Sequence, residues 1–274
     1  MAHLFDAIGN AIRLYGRYTA VSIRGQLQYR ASFVTGVVST FLVTASEFLG
    51  IWVLFDRFGQ VRGWRLPEIA LFYGLISISF AISDAIGRGL DLFGTMVKSG
   101  DFDRLLLRPR STVLQLLGQG LPLRRIGRLA QGLGVIGYAA FAGTIDWTVA
   151  RAALAIASVA ATICAFLGLL VLQATTAFWT VESLEVWSAF TYGGATMGQY
   201  PLAIYRWWFR GLFIFVVPIG GVVYFPGVAI LGRSDPLGAP AFVGWIAPLA
   251  GPAFLAIALQ VWRIGVRHYR STGS

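Results

Sequence analysis

Long apolar stretches, separated by short polar segments, are the main pattern in this sequence. About 20 helical residues are needed to cross a bilayer, and the stretches recur at lengths close to that value. The pattern therefore predicts an all-α polytopic membrane protein with about six transmembrane helices, forming one transmembrane domain over residues 1–274. The six predicted runs are Phe33–Phe55, Ile69–Ser83, Ile126–Gly143, Ala152–Thr180, Leu212–Gly232 and Ala239–Trp262.

The run Leu212–Gly232 differs from the others because proline and glycine interrupt it, with Pro218 and Pro226 the strongest breaks. Backbone that leaves the helix at membrane depth is tolerated only where protein or a water-filled cavity satisfies its polar groups. We therefore interpret this run as an interrupted fifth span, or as a broken or re-entrant segment between spans five and six that borders the translocation pathway. A helix that is only kinked at proline is the alternative.

Two polar segments carry a helical pattern of their own. In residues 1–30, Leu4, Ile8, Ile12 and Tyr15 recur at helical spacing, which predicts an amphipathic helix lying at the membrane surface. The segment 87–112 lies between the second and third spans. It has the apolar face Leu90, Phe93 and Val97, followed by a turn at Ser99, Gly100 and Asp101. We expect this second apolar face to rest on the cytoplasmic underside of the membrane.

Composition excludes a soluble protein and indicates an orientation. Apolar residues make up 57% of the chain and charged residues only 12%, against roughly 25% in soluble domains. The net charge of +10 comes from basic residues lying between apolar runs, which indicates membrane topology and not a nucleic-acid partner. With the N-terminus inside, 17 of the 22 basic residues fall on the inner side. Both termini are therefore predicted to be cytoplasmic.

The side chains required for common enzyme chemistry do not form a recognisable motif. The only lysine, Lys98, follows Val97 where a phosphate-binding loop requires glycine. His3 and His268 lie at opposite ends of the sequence, and Cys164 is the single cysteine. The sequence therefore predicts no catalytic residue, no bound cofactor and no metal site.

Glu47 is the exception to the apolar character of the first run. An acidic group in hydrocarbon must be protonated, paired or turned toward a polar cavity, so Glu47 is expected to lie against protein. It could border the translocation pathway, or it could be a structural carboxyl packed on another helix. Arg128, near the start of the third run, is expected to reach the membrane surface with its long side chain.

Three segments resemble the permease subunits of ABC transporters of the type-2 exporter class. The segment from Gly100 to Pro109 is similar to that family's G-x-F-D-x-L-L-x-R-P motif. Gln199 to Tyr205 resembles its Y-P-x-x-I-Y motif. The basic and aromatic ending from Trp262 to Ser274 also fits the family. The order of the three segments on a six-span plan strengthens the resemblance.

The resemblance implies the permease subunit of an ATP-driven exporter in the plasma or inner membrane of the cell. Its implied partners are a second permease subunit, either the same chain or a paralogue, and separate ABC ATPase subunits that bind the ATP. It also implies a cytoplasmic coupling helix that docks on the ATPase. The residues it assigns to coupling are Gly100, Asp101, Phe102, Asp103, Arg104, Leu106, Arg108 and Pro109.

Two other classes of membrane protein remain as alternatives. An integral-membrane enzyme that modifies lipids would gather several acidic or histidine side chains at one depth, whereas Glu47, Asp84 and Glu182 are expected at different depths. A secondary transporter usually has inverted repeats and several intramembrane charges, and the sequence has one clear intramembrane charge and no visible repeat. The transported substrate is not predicted by the sequence.

Overall fold

The computed structural model describes residues 16, 20–108, 111–118, 120, 122–143, 145–180 and 184–269. The surface helix predicted within residues 1–30 falls mostly outside these described residues, although residues 20–27 are helical. In the described parts of the chain, strands occur only in one short hairpin, and helices make up most of the rest. The elements are α1 Arg30–Phe58, β1 Gln60–Val61, β2 Trp64–Arg65, α2 Leu66–Ile86, α3 Arg88–Asp91, α4 Phe93–Lys98, α5 Asp101–Leu106, α6 Thr112–Leu117, α7 Ile126–Phe141, α8 Val149–Thr176, α9 Leu184–Met197, α10 Trp207–Gly211, α11 Ile219–Leu231, α12 Val243–Ile246 and α13 Ala250–His268.

Single turns of tighter or wider helix join some of these elements. A 3₁₀ turn, Leu123–Arg125, leads into α7, and a second one, Ala247–Leu249, links α12 to α13. A third, Leu202–Ile204, precedes α10, which continues into the π-helical turn Leu212–Val216. π turns are rare and often mark functional positions, so this one makes the region around α10 unusual.

Four helical stretches are long and apolar enough to cross a membrane: α1, α2, α8 and the α12–α13 stretch Val243–His268. These confirm that the chain is an all-α polytopic membrane protein, and they match the first, second, fourth and sixth predicted runs. α7, the third predicted span, has 16 residues and is roughly 24 Å long, shorter than the hydrocarbon core.

The interrupted run forms two half-helices that meet at a bend of 99°, between Trp207–Val216 and Ile219–Leu231. Pro218 lies at the bend, as predicted, whereas Pro226 lies inside α11 without interrupting it. Just before the first half, the carbonyl oxygen of Ile204 accepts a hydrogen bond of 3.2 Å from Arg62. Just after the second half, Arg233 donates to the carbonyl oxygen of Gly63. Both ends therefore reach the β1–β2 hairpin.

Because both ends reach one hairpin, the segment enters and leaves on the same side of the molecule. The prediction of a broken segment is correct, but the interpretation of Leu212–Gly232 as a crossing does not fit this geometry. α9 runs antiparallel beside α2 instead: Tyr192 contacts Phe80 and Gly198 lies against Ile76. α9 therefore carries the chain toward the hairpin before the re-entrant pair begins.

α2 is the centre of the helical packing. Buried residues make up 78% of its most apolar window, against 11% for α1 and 17% for the Val243–His268 stretch. α2 packs on α7, α8 and α11, while α13 runs along α8. α1 and α13 are thus peripheral helices, and most of their surface faces away from the rest of the chain.

Candidate functional site

The segment between α2 and α7 is built around a cluster of aromatic rings. Phe93 of α4 lies with its ring centroid 4.9 Å from those of Phe102 and Trp262, and 5.2 Å from that of Phe178. Phe178 follows α8 and Trp262 belongs to α13, so the cluster joins this segment to the ends of two long helices. Edge-to-face aromatic pairs of this kind stabilise a fixed arrangement.

The expected position of the apolar face is therefore wrong. Leu90, Phe93 and Val97 do not lie on the underside of the membrane but are at most 7% exposed and pack on protein. Helical spacing identifies which residues share a face, yet it cannot distinguish a lipid surface from a protein surface. The segment is consequently held by the helices and not by the bilayer.

α5 begins at the turn that the sequence predicts. Gly100 has a φ of +74°, a left-handed conformation that favours glycine. The hydroxyl of Ser99 donates a 2.7 Å hydrogen bond to Asp101, and Asp101 forms an ion pair of 3.3 Å with Arg104. The turn and the first residues of α5 are thus fixed by local polar contacts.

The coupling residues assigned by the resemblance divide into buried and exposed groups. Phe102 is fully buried in the aromatic cluster, so it positions α5 and does not contact a partner directly. Arg104 has a side chain that is 83% exposed, and Arg108 is also exposed. Leu106 and Leu107 are 40% and 86% exposed. Two leucines between two arginines therefore form the exposed tip of the segment, and Pro109 lies outside the described residues.

Asp103 faces inward more than the sequence suggests. It lies beside Tyr269, just after α13, where burial and then the neighbouring Asp103 carboxylate raise the pKa of the tyrosine hydroxyl. Two hydrogen bonds strengthen these connections. The side-chain amide of Gln115 donates to the carbonyl oxygen of Leu105, at 3.2 Å. The indole of Trp262 donates to the Thr112 hydroxyl, at 3.0 Å. Movement of the tip is thereby linked to α13.

Glu47 borders a cavity of about 420 Å³ inside the membrane region. Its carboxylate lies 3.8 Å from the guanidinium of Arg128, which also sits over the Phe80 ring at 5.0 Å. Arg128 therefore turns toward Glu47 and does not reach the surface as expected. Polar groups of α2 and α9 and the residues after α9 complete the wall: Ser77, Tyr192, Thr196, Gln199 and Tyr200.

The other residues predicted for the pathway lie elsewhere. Pro218 and Pro226 are buried and do not line the Glu47 cavity. The cavity instead contains α9 side chains that sequence reasoning missed. The mixture of Ser, Thr, Tyr and Gly in residues 188–198 hides α9 among polar segments. The run of helix-compatible residues between Pro201 and the fourth span is the signal that could have revealed it.

A largely buried ion pair connects α2 to the turn before α7. Asp84 of α2 and Arg125, in the turn before α7, are 2.5 Å apart, with side chains only 14% and 20% exposed. Asp84 is thus paired with a basic side chain of the same chain. Nearby, Asp91 accepts hydrogen bonds from Arg88 and from Gln173 of α8. These contacts connect the last turn of α2 to the turn before α7, and the end of α8 to α3.

Arg233 lies beside the β1–β2 hairpin, at the end of the molecule opposite to the aromatic cluster. It forms a 2.7 Å ion pair with Glu68 at the start of α2, and its guanidinium lies 4.6 Å from the centre of the Trp64 ring. Within the described residues, no group of three or more His, Cys, Asp or Glu side chains could hold a metal ion. The polar contacts found here are therefore suited to holding helices and lining a cavity.

Comparison with known proteins agrees with this architecture. The family model described as ABC-2 family transporter protein matches residues 41–273, which include α2 to α13 and the residues that line the Glu47 cavity. No curated protein and no solved structure matches the chain. Because the family model covers most of the sequence, the chain belongs to the ABC-2 transporter family and is a membrane permease component of ABC transport.

Proposed function

We propose that this chain is the permease subunit of an ATP-driven exporter. It forms the translocation path together with a second permease subunit, either the same chain or a paralogue. Separate ABC ATPase subunits bind and hydrolyse the ATP, since the chain has no phosphate-binding glycine loop. The complex lies in the plasma or inner membrane, with both termini of this chain in the cytoplasm.

The observation that carries the proposal is the coupling segment, α3 to α6. Its aromatic core joins it to the ends of α8 and α13, while its tip exposes Arg104, Leu106, Leu107 and Arg108. A partner bound to the tip could therefore displace the long helices through a packed connection. Packed interiors transmit such displacements because they resist compression.

The tip also indicates how the ATPase would bind. Leu107 is 86% exposed, and an apolar residue flanked by two arginines fits a hydrophobic pocket with an acidic rim. Asp101 and Asp103 are engaged with Arg104 and Tyr269, so they hold α5 in position. We assign docking to Arg104, Leu106, Leu107 and Arg108, and positioning to Gly100, Asp101, Phe102 and Asp103.

The test is co-expression of Arg108→Glu with the ATPase subunit. Charge-assisted hydrogen bonds at interfaces contribute about 1.5–3 kcal/mol, so the reversal should weaken co-purification at least about tenfold. Membrane insertion and the melting temperature of the isolated permease should not change, because Arg108 is exposed. ATP hydrolysis stimulated by the permease should fall in parallel with co-purification.

Arg57→Glu is the matched control. Arg57 is also an exposed arginine, but it lies in the last turn of α1, beside the hairpin and away from the coupling tip. It should keep full ATPase binding. If Arg108→Glu kept both co-purification and stimulation, the segment would be only a basic loop, and the coupling proposal would fail.

The Glu47 cavity is our assignment for part of the translocation path. Its wall combines polar and apolar side chains, and it is bordered by α9 and by α1 and α2, which are long enough to cross a membrane. Ionisable side chains within membrane-spanning segments usually face the interior of the helix bundle or a water-filled cavity. Pro218 contributes indirectly, by making the bend that ends α10 and starts α11.

A further inference from the structure

A groove at the coupling-segment end of α13 has the features of a lipid-binding site. Its volume is about 470 Å³, and it lies between α13 and the start of α6. Leu259, Trp262 and Val266 supply apolar wall, Thr112 supplies a hydroxyl, and Arg263 and Arg267 stand at its edge. The groove therefore combines an apolar surface with two positive charges.

The two arginines are neighbours on one helical face. They are four residues apart, which places their β-carbons about 5–6 Å from each other. Both are exposed, and among the described residues no carboxylate forms an ion pair with either of them. Arg263 donates only to the side-chain amide oxygen of Gln260, at 3.1 Å, which leaves its charge uncompensated. Two such guanidinium groups favour an anionic ligand.

The location of the groove identifies the source of that anion. Only 17% of the most apolar window of the α13 stretch is buried, so most of the surface of this apolar helix is not covered by the rest of the chain. Arg263 and Arg267 lie in its last turns. The end of a membrane-spanning helix is where phospholipid head groups are expected to meet hydrocarbon. A phospholipid whose phosphate lies between the two arginines could place its acyl chains along Leu259.

We propose that this groove binds an anionic glycerophospholipid. The phosphate is held by Arg263 and Arg267, and an acyl chain lies on the apolar wall. Basic pockets between helices at the cytoplasmic end are a recognised mode of anionic-lipid binding. The Thr112 hydroxyl accepts a hydrogen bond from the indole N–H of Trp262, so a bound lipid would touch both α13 and the coupling segment. Lipid binding would thus stabilise the connection between them.

The experiment measures thermal unfolding of the purified full-length chain in detergent during lipid titration. Dioleoylphosphatidylglycerol should raise the melting temperature in a saturable manner. Dioleoylphosphatidylcholine has the same acyl chains without net charge, and should require at least about tenfold more lipid. Inorganic phosphate, which lacks acyl chains, should not reproduce the effect at the same concentrations.

The double variant Arg263→Gln/Arg267→Gln should raise the half-saturating concentration of phosphatidylglycerol at least about tenfold. The matched control, Arg24→Gln/Arg30→Gln, removes two exposed arginines near the start of α1 and should respond as the parent does. Arg263→Lys/Arg267→Lys keeps both charges and should retain the preference for phosphatidylglycerol, which checks that the helix end is intact.

Three results would overturn the proposal. Equal stabilisation by the two lipids would mean that the groove does not distinguish an anionic head group from a neutral one. An unchanged phosphatidylglycerol response in the double glutamine variant would place the lipid elsewhere, and a full response to inorganic phosphate would exclude a lipid site. The coupling proposal is unaffected by any of them, because it depends on Arg108 and the ATPase.

Discussion

The charges at Glu47 and Arg128 illustrate how a costly residue is accommodated in the membrane. An ionised side chain at the bilayer centre costs about 2.5–3.5 kcal/mol, and the cost falls when a partner or water is available. Here Glu47 has a partner and faces a cavity: its carboxylate lies 3.8 Å from Arg128, and both side chains line a cavity of about 420 Å³. The separation exceeds a hydrogen bond, so the pair is loose and the carboxylate stays accessible.

Glu47→Gln is therefore expected to fold normally. The side chain is 42% exposed and its ion pair is long, so the change in the free energy of unfolding should be below about 1 kcal/mol. Thermal unfolding in detergent, beside Asp56→Asn as an exposed control on the same helix, measures it. A loss of several kcal/mol would instead mean that the pair is tight and structural.

At the scale of the helices, close backbone approach decides how α13 docks on α8. A β-carbon at Gly251 would collide with the carbonyl oxygen of Ala161, so the two helices approach more closely than larger residues allow. Small residues at such crossings are typical of helix association in membranes. The position of α13 matters because this helix also contributes Trp262 to the aromatic cluster.

Gly251→Ala should consequently lower the free energy of unfolding by about 1–3 kcal/mol, the usual cost of overpacking. The matched control is Gly134→Ala in α7, where an added β-carbon meets nothing within 4 Å. That control should be neutral, or stabilising by up to about 1 kcal/mol, because alanine favours helix over glycine. Equal melting temperatures for the two variants would contradict the tight crossing.

At the scale of the whole molecule, the re-entrant pair changes the count of charges on each side. Arg206 and Arg210, which the sequence interpretation assigns to the inner side, follow the contact between Ile204 and Arg62 of the hairpin. When these two arginines are counted on the outer side, 15 basic residues remain inside and 7 lie outside, which is still an excess on the inner side. The predicted orientation is therefore compatible with the re-entrant geometry.

Cysteine labelling tests this arrangement directly. In a Cys164→Ala background, Arg206→Cys and Gln60→Cys should both react with a membrane-impermeant maleimide in intact cells. Leu107→Cys, at the coupling tip, should react only after the cells are permeabilised. If Arg206→Cys reacted only after permeabilisation, like Leu107→Cys and unlike Gln60→Cys, Leu212–Gly232 would instead be a simple crossing.

The isolated chain is expected to hydrolyse no ATP, because it has no phosphate-binding glycine loop. Hydrolysis should appear when the purified ATPase subunit is added back. Phosphate release by the permease alone, compared with the reconstituted complex and with the Arg108→Glu complex, is the measurement. Activity that persisted through repeated purification of the single chain would contradict the permease assignment.

The amino-acid sequence determined the class of the protein and most of its long helices. Apolar runs of about 20 residues specify transmembrane helices whatever surrounds them, because hydrocarbon leaves no other partner for the backbone. Proline and glycine likewise predicted the break at Pro218. The turn at Gly100 followed from local chemistry, and the family resemblance assigned a coupling role to α5.

Tertiary structure decided which surfaces those helices cover and which charges meet. The same helical spacing describes a face on lipid or on protein, so only packing placed Phe93 in the aromatic cluster. Only packing paired Glu47 with Arg128, which is 81 positions away in the sequence. The ion pair between Arg233 and Glu68 brings the end of the re-entrant pair back to the start of α2. Contacts between distant positions leave no periodic trace in a single sequence, because each depends on how separate helices pack together.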